Sequence, residues 1–122
     1  MFGFSRKEKA MKSAKANLDE AVSSVLRYSG FDVWRIPDEV LTPFNIQVIQ
    51  STMEVQGGDY SKYDYTSMYF FGLAVILSGT DPQSSDKCLS GLNQYLSDNK
   101  DKISPKVYKD AYSKLQSTMP KK

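Results

Sequence analysis

The sequence predicts an all-α fold: a single compact bundle of four to five helices around a central apolar helix at about residues 65–78. Three observations carry that reading. Apolar residues recur at three- and four-residue steps, the spacing that aligns side chains on one helix face. Thr42-Pro43, Asp81-Pro82 and Ser104-Pro105 each set a capping side chain before a proline whose fixed φ suits a first helical turn. Glycines stand after several of the periodic stretches, where helices stop.

The first helix is expected from about Arg6 to Tyr28. Met11, Ala14, Leu18, Ala21, Val22 and Val25 share one face, Lys9, Lys12, Lys15 and Asp19 lie mostly on the other, and Ser29-Gly30 closes it. Phe31 to Pro37 is a connector. Phe31, Val33, Trp34 and Ile36 are too apolar for water, so they are expected to plug the core, with Trp34 as a core anchor; the alternation of Phe31, Asp32 and Val33 also fits a short strand. Pro37-Asp38-Glu39 reads as the start of a single helical turn. The second main helix is expected from Pro43 to about Gln56, with Phe44, Val48, Ile49 and Met53 as its stripe and Gly57-Gly58 as its end.

Asp59 to Asp64 reads as a polar, tyrosine-rich loop, and the third helix as Tyr65–Ser78. From Met68 to Leu77 this segment has no polar face, the pattern of a helix buried at the centre of a bundle. A buried strand competes with that reading; length, the Gly79 stop and helical neighbours favour the helix. The fourth helix opens at Asp81-Pro82, carries Cys88, Leu89, Leu92, Tyr95 and Leu96 on one side, and fades at Asp98-Asn99. The fifth opens at Ser104-Pro105 with the stripe Val107, Tyr108, Ala111, Tyr112 and Leu115. Frayed ends are expected at about residues 1–5 and 118–122.

A chain of 122 residues, 40% hydrophobic and 25% charged, suits one domain with a core of its own. The net charge of +2 is unevenly spread. Residues 1–17 hold five basic groups and one acid, residues 18–99 four and eleven, residues 100–122 seven and two. Both ends are basic and the middle is acidic. The longest apolar run, ten residues from Met68 to Leu77, is about half the ~20 needed to span a bilayer, so no transmembrane segment is expected. No secretory signal pattern opens the chain and Cys88 stands alone, which fits a cytoplasmic location.

Reactive chemistry is sparse. There is no histidine, and a lone Cys88 on an apolar stripe reads as an inert buried thiol. No metal is expected, since zinc needs about four converging ligands and no calcium-loop pattern occurs. No phosphate-binding glycine loop appears and no cofactor is expected. The adjacent pairs Asp19-Glu20 and Asp38-Glu39 point in different directions on a helix and form no acid–base couple. The expectation is therefore not an enzyme but a non-catalytic protein-binding module, in its most specific form a bacterial inhibitor of the antitoxin or immunity type that occludes a toxin or effector.

The expected contact is Asp59, Tyr60, Tyr63, Asp64 and Tyr65. Tyrosine gives large contact area at low entropic cost, and the aspartates would suit a basic partner surface. Trp34 and Arg35 of the connector are the second candidate, because tryptophan is over-represented in binding hot spots and Trp34 is the only one. The alternative function is nucleic-acid binding: lysines of the two terminal helices, interleaved with Tyr108 and Tyr112, would grip phosphates if those helices are neighbours. A membrane-surface contact through Met1-Phe2-Gly3-Phe4 ranks third.

Overall fold

In the computed structural model, which describes residues 6–54 and 61–118, the periodic stretches are five α-helices, with no strand among the described residues. They are α1 (Arg6–Ser29), α2 (Asp38–Glu54), α3 (Lys62–Ser78), α4 (Pro82–Asp98) and α5 (Pro105–Thr118), and a 3₁₀ turn, Val33–Arg35, lies between α1 and α2. The strand readings of the connector and of the third element are therefore excluded. Gly30, at φ +74°, provides the left-handed residue that ends α1.

Two boundaries differ from expectation. The second helix begins at Asp38, not Pro43, and absorbs the single turn expected there. The Pro37 carbonyl accepts from the Val40 and Leu41 amides at 2.9 and 3.0 Å. Leu41 and Phe44 then fall on one buried face, so their burial carries the helix through Pro43. Pro43 removes one bond to the Glu39 carbonyl, and both residues are exposed, so that carbonyl is open to solvent and the loss costs little. Thr42 is consequently no cap. The third helix begins at Lys62, not Tyr65. Ser61 caps it in a reciprocal box: the Asp64 amide donates to Ser61 Oγ at 3.3 Å and the Ser61 amide to Asp64 Oδ2 at 2.9 Å. Asp81 caps α4 as expected, accepting from the Ser84 amide at 3.4 Å.

α3 is the hub. It packs against α2, α1, α4 and α5, which follow one another around it. Phe70, Leu73, Ala74 and Leu77 are buried, together with Val25 of α1, Leu92 and Leu96 of α4 and Leu115 of α5. α4 runs antiparallel to α3 and is bonded to it by side chains that reach backbone carbonyls: Ser85 Oγ donates to Ala74 at 2.6 Å and Cys88 Sγ to Phe70 at 3.5 Å. Gly91 lets the end of α1 approach closely, since a Cβ there would lie 2.9 Å from the Ser29 nitrogen. Rings bridge the layers: Phe44 meets Tyr69 with centroids 5.1 Å apart, and Tyr95 meets Phe70 at 5.5 Å and Tyr28 at 5.4 Å.

α2 and α5 do not touch each other, so the ring around the hub is open on one side. The all-apolar α3 is central, as the sequence predicts, but one of its stripes faces out. Among the described residues, no helix is long and apolar enough to cross a membrane.

Candidate functional site

Of the expected tyrosine–aspartate patch, Tyr63, Asp64 and Tyr65 fall in the first turn of α3. Asp59 and Tyr60 lie outside the described residues. Asp64 points inward, 1% exposed. Besides the Ser61 amide, its carboxylate accepts the Ser104 amide at 2.9 Å and the Ser104 hydroxyl at 2.7 Å, which ties the start of α5 to the start of α3. The carboxylate is a structural clamp between the starts of α3 and α5. The Ser61-to-Asp64 spacing is that of a capping box, so the sequence did carry this signal. Tyr65 is half-buried and its hydroxyl donates to the Thr52 carbonyl at 3.4 Å, closing α3 on the end of α2. Tyr63 is half-buried, with Lys62 and Lys102 nitrogens 5.3 and 5.4 Å from its ring centre.

The connector behaves differently. Phe31, Val33 and Ile36 are buried and hold it to the core. Asp32 caps the 3₁₀ turn by accepting the Trp34 amide at 2.9 Å, and the Arg35 and Ile36 amides donate to the Asp32 and Val33 carbonyls at 3.0 and 3.1 Å. With three anchors buried and the backbone bonded internally, the intervening side chains are turned out. Trp34 is 65% exposed and Arg35 is exposed beside it. The expected core anchoring by Trp34 is thus corrected: a 3₁₀ turn places residues 33 and 36 on one side, and residue 34 falls on the other.

Next to this turn lies a cleft of about 270 Å³ at the end of the bundle, lined in part by Asp32, Arg35, Asp81, Ser84 and Lys87. Its charges are mixed. Ser84, through its hydroxyl at 2.7 Å and its amide, holds the Asp81 carboxyl below the usual range, and the charge of Arg35 adds to this. The arrangement offers a flat aromatic ring, a guanidinium fork and a polar recess, the parts of a recognition surface.

Reactive groups are placed elsewhere. Cys88 is fully buried against α3, and desolvation pushes its thiol up to about 12, far from nucleophilic at neutral pH. Among the described residues no three Cys, Asp or Glu side chains converge as a metal would require, and no buried side-chain nitrogen or oxygen lacks a hydrogen-bond partner. Among the described residues, α1 packs on α2, α3 and α4, and α5 on α3 and α4, so the two terminal helices are not neighbours. Tyr108 and Tyr112 stack on each other at 6.0 Å, with Lys100 5.6 Å from the Tyr108 ring centre. Compared with protein-family models, with curated proteins and with solved structures, the chain finds no match.

Proposed function

We propose that this chain is a non-catalytic protein-binding module whose contact is the rigid turn bearing Trp34 and Arg35. One observation carries the reading: the sole tryptophan is held 65% exposed on a turn whose neighbours Val33 and Ile36 are buried. Leaving so large an apolar ring in water forgoes about 1.5–3 kcal/mol of burial. A partner that covers it recovers that energy, and a preorganised turn adds little ordering cost. Arg35 supplies directional bonds to a carboxylate or carbonyl at the edge of the same contact. Asp64 is turned inward and offers no charge to a partner surface.

The narrower form, an inhibitor of the antitoxin or immunity type working in the bacterial cytoplasm, is supported by small size and sparse reactive chemistry alone. It requires that the captured protein be toxic by itself and that this chain relieve the toxicity. The test is affinity capture with the tagged full chain, followed by Trp34→Ala and Arg35→Ala. A protein captured by the wild type and lost with Trp34→Ala, at unchanged far-UV circular dichroism, supports the reading. Undiminished capture by Trp34→Ala refutes it.

A further inference from the structure

The open side of the hub helix carries a second surface, independent of the tryptophan turn. At about 100° per residue, Met68, Phe71, Gly72 and Val75 follow the i, i+3, i+4, i+7 pattern of a helix-packing stripe. Met68 is 41% and Val75 51% exposed, and Phe71 and Gly72 are partly so. A groove of about 550 Å³ runs between this stripe and α5, with Val107 and Ala111 completing its apolar floor.

The two banks carry opposite charge. α2 holds Asp38, Glu39 and Glu54 and no Lys or Arg. α5 holds Lys106, Lys109 and Lys114 against one acid, Asp110, which sits 3.2 Å from Lys114. A uniformly acidic ligand would be drawn to α5 and repelled by α2, and a basic one the reverse. The occupant that satisfies both has an apolar stripe between an acidic and a basic bank in crossed order. The chain's own face meets that description.

Helix directions set the symmetry. α5 runs parallel to α3, since Ser104 meets Asp64 and Lys114 lies over Phe71. α2 runs antiparallel to α3, since Asn45 meets Tyr69 and Thr52 meets Tyr65. Rotation by 180° about an axis parallel to α3 keeps the stripes face to face and exchanges the banks. We propose that this face is the interface of a two-fold homodimer, in which each α3 stripe covers the other and α5 of each copy lies on α2 of its partner. A perpendicular in-plane axis would set α5 on α5 and α2 on α2, like charge on like. The interface is isologous, so every contact occurs twice, and the assembly presents two Trp34 turns.

The test is sedimentation equilibrium or light scattering on the full chain over a concentration series. Wild type is expected to dimerise, less tightly as salt rises. Val75→Glu places two charges in the apolar stripe and is expected to weaken dimerisation about a hundredfold or more. Two charge-reversed variants keep the test independent of that substitution: Glu39→Lys with Glu54→Lys, and Lys106→Glu with Lys114→Glu, all at exposed positions. Each variant alone is expected to be monomeric, and mixing them is expected to restore a one-to-one heterodimer. Wild type that stays monomeric at about 100 μM, above the micromolar-to-picomolar range of a standard interface, overturns the proposal. So does a dimer indifferent to Val75→Glu, or variants that fail to pair on mixing. None of these results bears on capture through Trp34.

Discussion

Replacing Asp64 separates a clamp from a recognition group. Its carboxylate accepts three hydrogen bonds: from the Ser61 amide at 2.9 Å, the Ser104 amide at 2.9 Å and the Ser104 hydroxyl at 2.7 Å. In Asp64→Ala the Ser61 amide loses its half of the capping box, worth about 1 kcal/mol. The Ser104 amide and hydroxyl lose a charged acceptor in a partly buried site, about 1 kcal/mol each at the lower end of the range for such groups. The expected loss is about 3 kcal/mol, out of roughly 6–18 kcal/mol for a domain of this length. At about 3–5 °C per kcal/mol the melting temperature falls by roughly 10 °C. Urea unfolding followed by circular dichroism is the assay, with an unchanged m-value as the sign that only stability moved. Ser104→Ala and the double variant complete a cycle, and a coupling of about 1 kcal/mol or more is expected because the two residues share their bonds. A loss under about 0.5 kcal/mol, the range of ordinary surface substitutions, would refute the inward placement of Asp64 and return it to the solvent-facing role the sequence suggested.

Alkaline pH is expected to destabilise the fold. Burial pushes Cys88 and Tyr95 each up to about 12 and raises Tyr69 as well. Above about pH 9 the unfolded chain therefore releases protons that the native state retains, and stability falls by up to about 1.4 kcal/mol per pH unit for each group titrating. Urea midpoints constant from pH 9 to 11 would contradict this. Cys88 is expected to resist thiol reagents at pH 8 until the protein is unfolded; native labelling at the rate of a free thiol would contradict its burial. Gly91→Ala is expected to destabilise by about 1–3 kcal/mol, because the new methyl would lie 2.9 Å from the Ser29 backbone nitrogen. Gly72→Ala meets only the edge of the Phe44 ring at 3.1 Å, a side chain that can shift, so its loss in thermal unfolding should be smaller.

The helical class, the five segments and most of the core were legible in the sequence, because periodicity and caps are local. The stripe of α1 from Ala14 to Val25, the Asp81 cap and the Cys88–Leu96 face needed no knowledge of distant residues. Starts that depend on distant burial were not legible. α2 runs through Pro43 because Leu41 and Phe44 find a core to enter, and the strength of that burial is not written within the segment. The Ser61–Asp64 box was written locally, but the aspartates there were read as surface charge.

What only the tertiary structure decided is direction. The same connector composition allows Trp34 in or out; a 3₁₀ turn pinned by Phe31, Val33 and Ile36 turns it out. The same acidic residue at 64 serves a partner or the fold; the arrival of Ser104, forty positions later, makes it serve the fold. An apolar helix is predicted to be central, but its own pattern does not say how many neighbours will surround it. Four helices flank α3 but α2 does not reach α5, so within one chain its last apolar stripe is left uncovered. Local sequence sets which segments form helices, because backbone bonds and caps act over a few residues. Which faces end up covered is set by packing among segments, because burial is a property of the neighbours a face meets.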